Sequence, residues 1–201
     1  MAVKMTQDNL DAVLKSIAAL VQQEVLVGVP SSTAGRKDDG SPINNAEIGY
    51  LMENGSPANN VPARPHLVPG VEDALPKITA QLQKGVEAAL RGDTERVNGR
   101  LDAAGTAAVS AVQLRIRNNI PPPLAPSTVA NRYRQRTVKD APKPAGKRKA
   151  EKDYAALIDA GAQAAGMSLA EIQSAAGIIP LINTGGYLKS ITFVKRKKGA
   201  K

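Results

Sequence analysis

The sequence predicts an α+β fold of long α-helices and two short β-strands, with a proline-rich loop between elements. Three observations lead there. Apolar residues recur at helical spacing through three long stretches, at 6–23, 71–90 and 93–118. Two short β-rich runs, at 25–29 and 190–195, stand far apart in the chain. Prolines at 57, 62, 65 and 69 bar regular helix from the segment between the first and second helical stretches.

The first helix carries Leu10, Val13, Leu14, Ile17, Leu20 and Val21 on its apolar side, with Thr6 or Asp8 as cap. Val25, Leu26, Val27 and Val29 then form a strand that Pro30 ends, and a polar loop over 31–42 follows. Asn45 caps a short helix over 46–54, which Gly55 closes. After the proline segment, helical spacing resumes beyond Gly70 through Val71, Leu75, Ile78, Leu82, Val86 and Leu90, with Pro76 early enough to sit in a first turn or bend the helix. The longest helix runs from Asp93 or Thr94 to about Asn118 and buries Val97, Leu101, Ala104, Ala108, Val112 and Ile116; Gly99 and Gly105 weaken its helix propensity, and Pro121, Pro122 and Pro123 end it. Ser127 or Thr128 caps a short basic helix, and Ser168 with Glu171 makes a capping box ahead of another. A turn at 184–186 precedes the last strand.

The 201 residues are read as a single domain, with 127–177 a basic, partly helical excursion inside it. Aromatic residues make up 2% of the chain against 42% apolar in all, so the core must come from Leu, Ile, Val and Ala, and few rings are left to stack on bases or sugars. Absence of cysteine excludes disulfides and thiolate chemistry, and His66 alone cannot build a multi-histidine metal centre. Gly185 and Gly186 lack the spacing of a phosphate-binding loop, and the carboxylates show no metal-ligand pattern. No catalytic residue, cofactor or metal is therefore expected, and the chain is not expected to be an enzyme. With no signal-like N-terminal run and no stretch near the ~20 apolar residues a membrane span needs, a location in a cytoplasm without membrane contact is expected.

The net charge of +9 is uneven: residues 1–100 hold ten basic against twelve acidic side chains, whereas 101–201 hold seventeen against six. Arg132, Arg134, Arg136, Lys147, Arg148 and Lys149 are candidates for phosphate contact, with Lys195, Arg196, Lys197, Lys198 and Lys201 a second basic patch. Genomic DNA, an acidic protein partner and plain solvation are all open to these segments. Residues 153–177 also imitate a helix-turn-helix whose main polar candidate for a groove is Gln173; the second helix lacks a face rich in Arg, Lys and Asn, and paired alanine-rich helices look the same for packing reasons.

Ala46, Tyr50, Glu53 and Gly55, then Pro62, Ala63, Arg64, Pro65 and Leu67, resemble the helix, glutamate-glycine turn and Pro-Ala-Arg-Pro segment of tailed-phage neck or tail-completion (head-tail joining, minor tail) proteins. Pro123, Leu124 and Thr128 are similar to that family's Pro-Leu-x-x-x-Thr element. Thr184, Gly185, Ser190 and Ile191 look like the ends of its Thr-Gly and Ser-Ile signature, with Leu188 one place later than the family's leucine. The resemblance implies long helices against a small antiparallel sheet and a homo-oligomeric ring that joins tail to head. It also implies residence in the virion after assembly in the host cytoplasm, and neighbouring neck, connector or tail proteins as partners. Glu53, Arg64, Pro65, Thr184 and Gly185 are the expected partner or oligomer contacts, with a carboxylate, from Glu53 or a neighbouring subunit, as acceptor for Arg64. The alternative reading is a non-specific DNA-binding packaging protein.

Overall fold

Helical periodicity and two distant strands produce an α+β fold with long helices packed against a two-stranded antiparallel sheet. The computed structural model describes residues 9–35, 43–125, 127–129, 131, 132, 152, 155, 156, 166–175, 177–183 and 185–199. Their contacts group into two units. The first takes the described residues of Met1–Asp39, Leu67–Gln113 and Ser190–Lys201; the second takes those of Gly40–His66 and Leu114–Lys189.

In the first unit α1 (Leu10–Val21) leads into β1 (Gln23–Gly28), followed by the single turn of α2 (Ser31–Ala34) inside the stretch expected as loop. The proposed caps Thr6 and Asp8 lie outside the described residues. The buried line of α1 passes through Ser16, whose hydroxyl hydrogen-bonds Thr94 at 2.9 Å, while Leu10, Leu14, Ile17 and Val21 are exposed. The apolar side expected from the spacing is thus only partly the buried side.

The second helical stretch divides at Ala74 into α4 (Leu67–Asp73) and α5 (Leu75–Leu90). Pro69 and Pro76 both fall in first turns, where a missing N–H costs no intrahelical bond. The helix accordingly starts before Gly70, not after it. Gly70 is needed for another reason: a Cβ there would stand 2.7 Å from the Val112 Cα.

The spine is α6 (Thr94–Arg117), 24 residues without a break. Gly99 faces open space and Gly105 makes room for Phe193, whose ring would lie 2.5 Å from an added Cβ, and neither glycine interrupts the helix expected over this stretch. Val97, Leu101, Ala104, Ala108, Val112 and Ile116 are all buried, as their spacing predicts. Leu20 and Val25 pack against Val97, Leu101, Ala88 and Ala89.

The last strand, β2 (Thr192–Lys197), pairs antiparallel with β1 in the register Gln23↔Lys197 to Gly28↔Thr192. Chain ends far apart in sequence thereby close one sheet, and Lys195–Asp102 (2.8 Å) and Arg196–Glu24 (2.5 Å) ion pairs border it. Among the described residues, no helix is long and apolar enough to cross a membrane.

The second unit holds α3 (Asn45–Asn54), the last turn of α6, α7 (Leu169–Ala175) and most of α8 (Gly186–Ser190). Among the described residues, Ile116, Ile120, Leu124, Val129, Ile172 and Ile178 are buried in it. The helix cap of α3 is Asn44, one place before the expected Asn45, because the reciprocal box needs its glutamate three residues on: Asn44 Oδ1 accepts from the Glu47 N–H and Glu47 Oε2 accepts from the Asn44 N–H. Ser168 and Glu171 form the box expected before α7. The segment after Gly185 is helical before it becomes strand, so the strand begins at Thr192 and not at Ser190.

Candidate functional site

The proline segment is folded back along α3 in the second unit. Gly55 ends the helix at φ +75°, a left-handed backbone that favours glycine, and a Cβ there would lie 2.8 Å from the Ala63 amide nitrogen. Ser56 and Val61 bridge by two backbone hydrogen bonds of 2.8 and 3.0 Å around a 3-10 turn at Pro57–Asn59. The Arg64 N–H donates to the Met52 carbonyl at 2.6 Å, and the His66 N–H donates to Glu53 Oε2 at 2.8 Å. Residues 62–66 consequently alternate between two fates: Arg64 and His66 point inward and are buried, while Pro62, Ala63 and Pro65 stay exposed.

Arg64 is 6% exposed. Its Nε and Nη2 donate to the Pro122 carbonyl at 3.2 and 2.9 Å, and Nη2 also reaches the Pro123 carbonyl at 3.3 Å. These carbonyls stand in irregular chain just past α6, where no helix or strand ladder supplies donors, and a planar guanidinium fork can serve two neighbouring oxygens. Within this chain the acceptor is thus a carbonyl pair and not Glu53, one of the two carboxylates expected from the sequence, because Glu53 is turned to His66; the other, an acid of a neighbouring subunit, is an expectation about a second chain. Burial pushes the Arg64 pKa below its usual value.

His66 is fully buried. Its Nδ1 faces two acceptors, the Arg64 carbonyl at 2.9 Å and Glu53 Oε2 at 3.1 Å, and therefore carries the proton. Nε2 is then the acceptor for the Tyr187 hydroxyl, and the two rings meet edge to face at 5.5 Å. Burial holds the His66 pKa below 6.5, against the opposing pull of the Arg64 carbonyl and Glu53. Burial, with Glu53 nearby, pushes the Tyr187 hydroxyl well above the usual phenol range. The arrangement is a neutral imidazole and a neutral phenol joined in one chain of hydrogen bonds. It fixes geometry and gives neither ring a charge at neutral pH. Gly49 on α3 permits the approach, since a Cβ there would come within 2.9 Å of the Tyr187 oxygen.

Of the other residues predicted as contacts, Gly185 has φ +80° and its carbonyl accepts from the Lys189 N–H at 3.1 Å, which starts α8. Thr184 lies outside the described residues. Arg132 donates to the Ile179 and Ile182 carbonyls at 2.9 and 3.2 Å. Arg134, Arg136, Lys147, Arg148 and Lys149 lie outside the described residues. Among the described residues, no group of three or more His, Asp or Glu side chains is arranged to hold a metal ion.

Two important residues were not legible as such. Gln173, the proposed groove reader of a helix-turn-helix, is buried: its Oε1 accepts from the Leu124 N–H and its Nε2 donates to the Leu124 carbonyl, both at 2.9 Å. One side-chain amide thus plays the part of a neighbouring strand. Tyr187 lies in no motif that marks it in the sequence; its being one of four tyrosines in a chain poor in rings is the available signal. Comparison of the chain with family models, with curated proteins and with solved structures yields no match.

Proposed function

We propose that this chain is a structural protein of a tailed-phage particle, of the neck or tail-completion type, which assembles into a homo-oligomeric ring and helps join tail to head. It works through contacts between proteins and not through catalysis. Its place is the neck or tail end of the virion, reached from the host cytoplasm during assembly, beside other neck, connector or tail proteins.

One observation carries the reading. Residues from the three separated stretches that resemble the family meet in a single brace within the second unit: Arg64 bonds the Pro122 and Pro123 carbonyls, and His66 beside it bonds Tyr187, which lies between Gly185 and Ser190. Residues recognised only as fragments along the chain act together on one short edge. That edge leaves Pro62, Ala63 and Pro65 in solvent, while Arg64 and His66 anchor it from within. An edge already fixed by proline and by buried hydrogen bonds loses little entropy on docking, which suits a joint that must form once and hold. In this reading Glu53 and Arg64 position the edge, and Pro65 with its exposed neighbours touches the partner.

The test is deletion of the coding sequence from the phage genome that carries it, followed by electron microscopy and mass spectrometry of purified particles. Unjoined heads and tails in the deletion, and a fixed copy number of the chain in complete particles, are expected. Joined, infectious particles made without the chain would overturn the proposal.

A further inference from the structure

The first unit exposes two apolar stripes. On α1 they are Leu10, Leu14, Ile17 and Val21, and on α5 they are Leu75, Leu82, Val86 and Leu90, each between 36% and 64% exposed. The spacings keep each set on one side of its helix. At about 100° per residue, each stripe lies roughly a third of a turn, in the same rotational sense, from the buried side of its own helix. That buried side is marked by Ser16 on α1 and by Gly85, Ala88 and Ala89 on α5.

The two helices pack against each other in opposite directions. A Cβ on Gly92, just beyond α5, would lie 3.0 Å from the Ala12 side chain near the start of α1, whereas one on Gly85 would lie 3.7 Å from Leu20 near its end. For an antiparallel pair, equal rotations in the same sense bring both stripes to the same surface. Leu75, Leu82 and Val86 also line an apolar groove of about 500 Å³ together with Leu20, Val25 and Leu101.

Eight side chains at these exposures uncover on the order of 700 Å², more than the roughly 300–600 Å² of the largest apolar patch on a typical monomer and close to the ~800 Å² each partner gives to a standard interface. None of the eight carries a charge or a hydrogen-bonding group, so the face offers nothing to a phosphate backbone and fits another apolar surface of similar size. The chain itself supplies such a surface. We propose that the α1–α5 face is where copies of this chain pair about a two-fold axis, the stripes of one copy against those of a second, so that any ring is built from such pairs. The inference rests on the assembly reading above for the presence of several copies.

The full chain would be followed by light scattering and sedimentation across a wide concentration range. The parent should form a defined assembly. Leu14→Glu combined with Val86→Glu should weaken association on the order of a hundredfold or more, by forcing carboxylates into an apolar contact, with helical circular dichroism retained. Leu114→Glu, at an exposed apolar position of α6 that belongs to neither stripe, should leave the mass unchanged. Because the chain has no cysteine, Leu14→Cys also gives a single site for a short bifunctional thiol reagent, which should yield covalent dimers. A monomeric parent, an assembly that persists in the folded double variant, or no cross-linking at Cys in place of Leu14 would each overturn the proposal; the last decides the matter if the double variant does not fold. The two readings fail separately: absence of the chain from particles would remove the virion role while leaving this contact, and persistence of the assembly in the double variant would do the reverse.

Discussion

The two units hold their chains by different means. In the first, Val97, Leu101, Ala104, Ala108 and Val112 line one side of α6 and are buried, and regular helices and a sheet satisfy most of their own backbone groups. In the second, buried or half-buried polar side chains reach backbone groups of irregular chain: Arg64 the Pro122 and Pro123 carbonyls, Glu53 the His66 amide, Gln173 both backbone groups of Leu124, and Arg132 the Ile179 and Ile182 carbonyls. The contrast follows from one requirement. Backbone donors and acceptors withdrawn from water must be paired, and where prolines and turns prevent a ladder, side chains have to do the pairing. Apolar packing tolerates exchange of one aliphatic residue for another of similar volume, whereas a polar side chain serving two backbone atoms has few substitutes.

The largest effect that could break this contrast is expected from Arg64→Ala. Loss of a buried, charge-assisted fork should destabilise the second unit by about 3 kcal/mol. Amide hydrogen exchange should show protection lost around Met52, His66 and Leu124, with α5 and the start of α6 retained. Equal loss of protection in both units would mean that they are not energetically distinct.

Steric fit sharpens the description of the first unit. Gly105→Ala should destabilise by about 1–2 kcal/mol, because crowding against Phe193 outweighs the gain in helix propensity. Gly99→Ala, on the same helix but facing open space, should stabilise by about 0.5–1 kcal/mol. Thermal denaturation of the two variants would separate them, and a shift of the same sign in both would contradict the close approach at Gly105.

The smallest effect is a dependence on pH. A histidine held below 6.5 in the folded chain binds its proton more readily in the unfolded one. Stability from this source is therefore complete above about pH 6.5 and declines as pH falls from there toward the lowered folded pKa. Urea midpoints at about pH 7.5 and about pH 5.5 should differ more for the parent than for His66→Gln. An identical difference in both would remove His66 as a cause.

By itself the sequence determined the class of the fold, the core side of α6, the capping box at Ser168 and Glu171, and the glycine turn at Gly55. Each is set within a few residues by periodicity, by side-chain reach or by backbone freedom, and is legible in a short window. Only the tertiary structure decided that β1 and β2 pair, that Gly105 admits Phe193, that Arg64 goes to a carbonyl pair and not to Glu53, that Tyr187 meets His66, and that Gln173 is internal. Those outcomes depend on which segments become neighbours after the chain has closed, and the acceptors include main-chain carbonyls. Every residue has such a carbonyl except where the ladder already uses it, so nothing in the residue alphabet marks the one that a distant arginine will find.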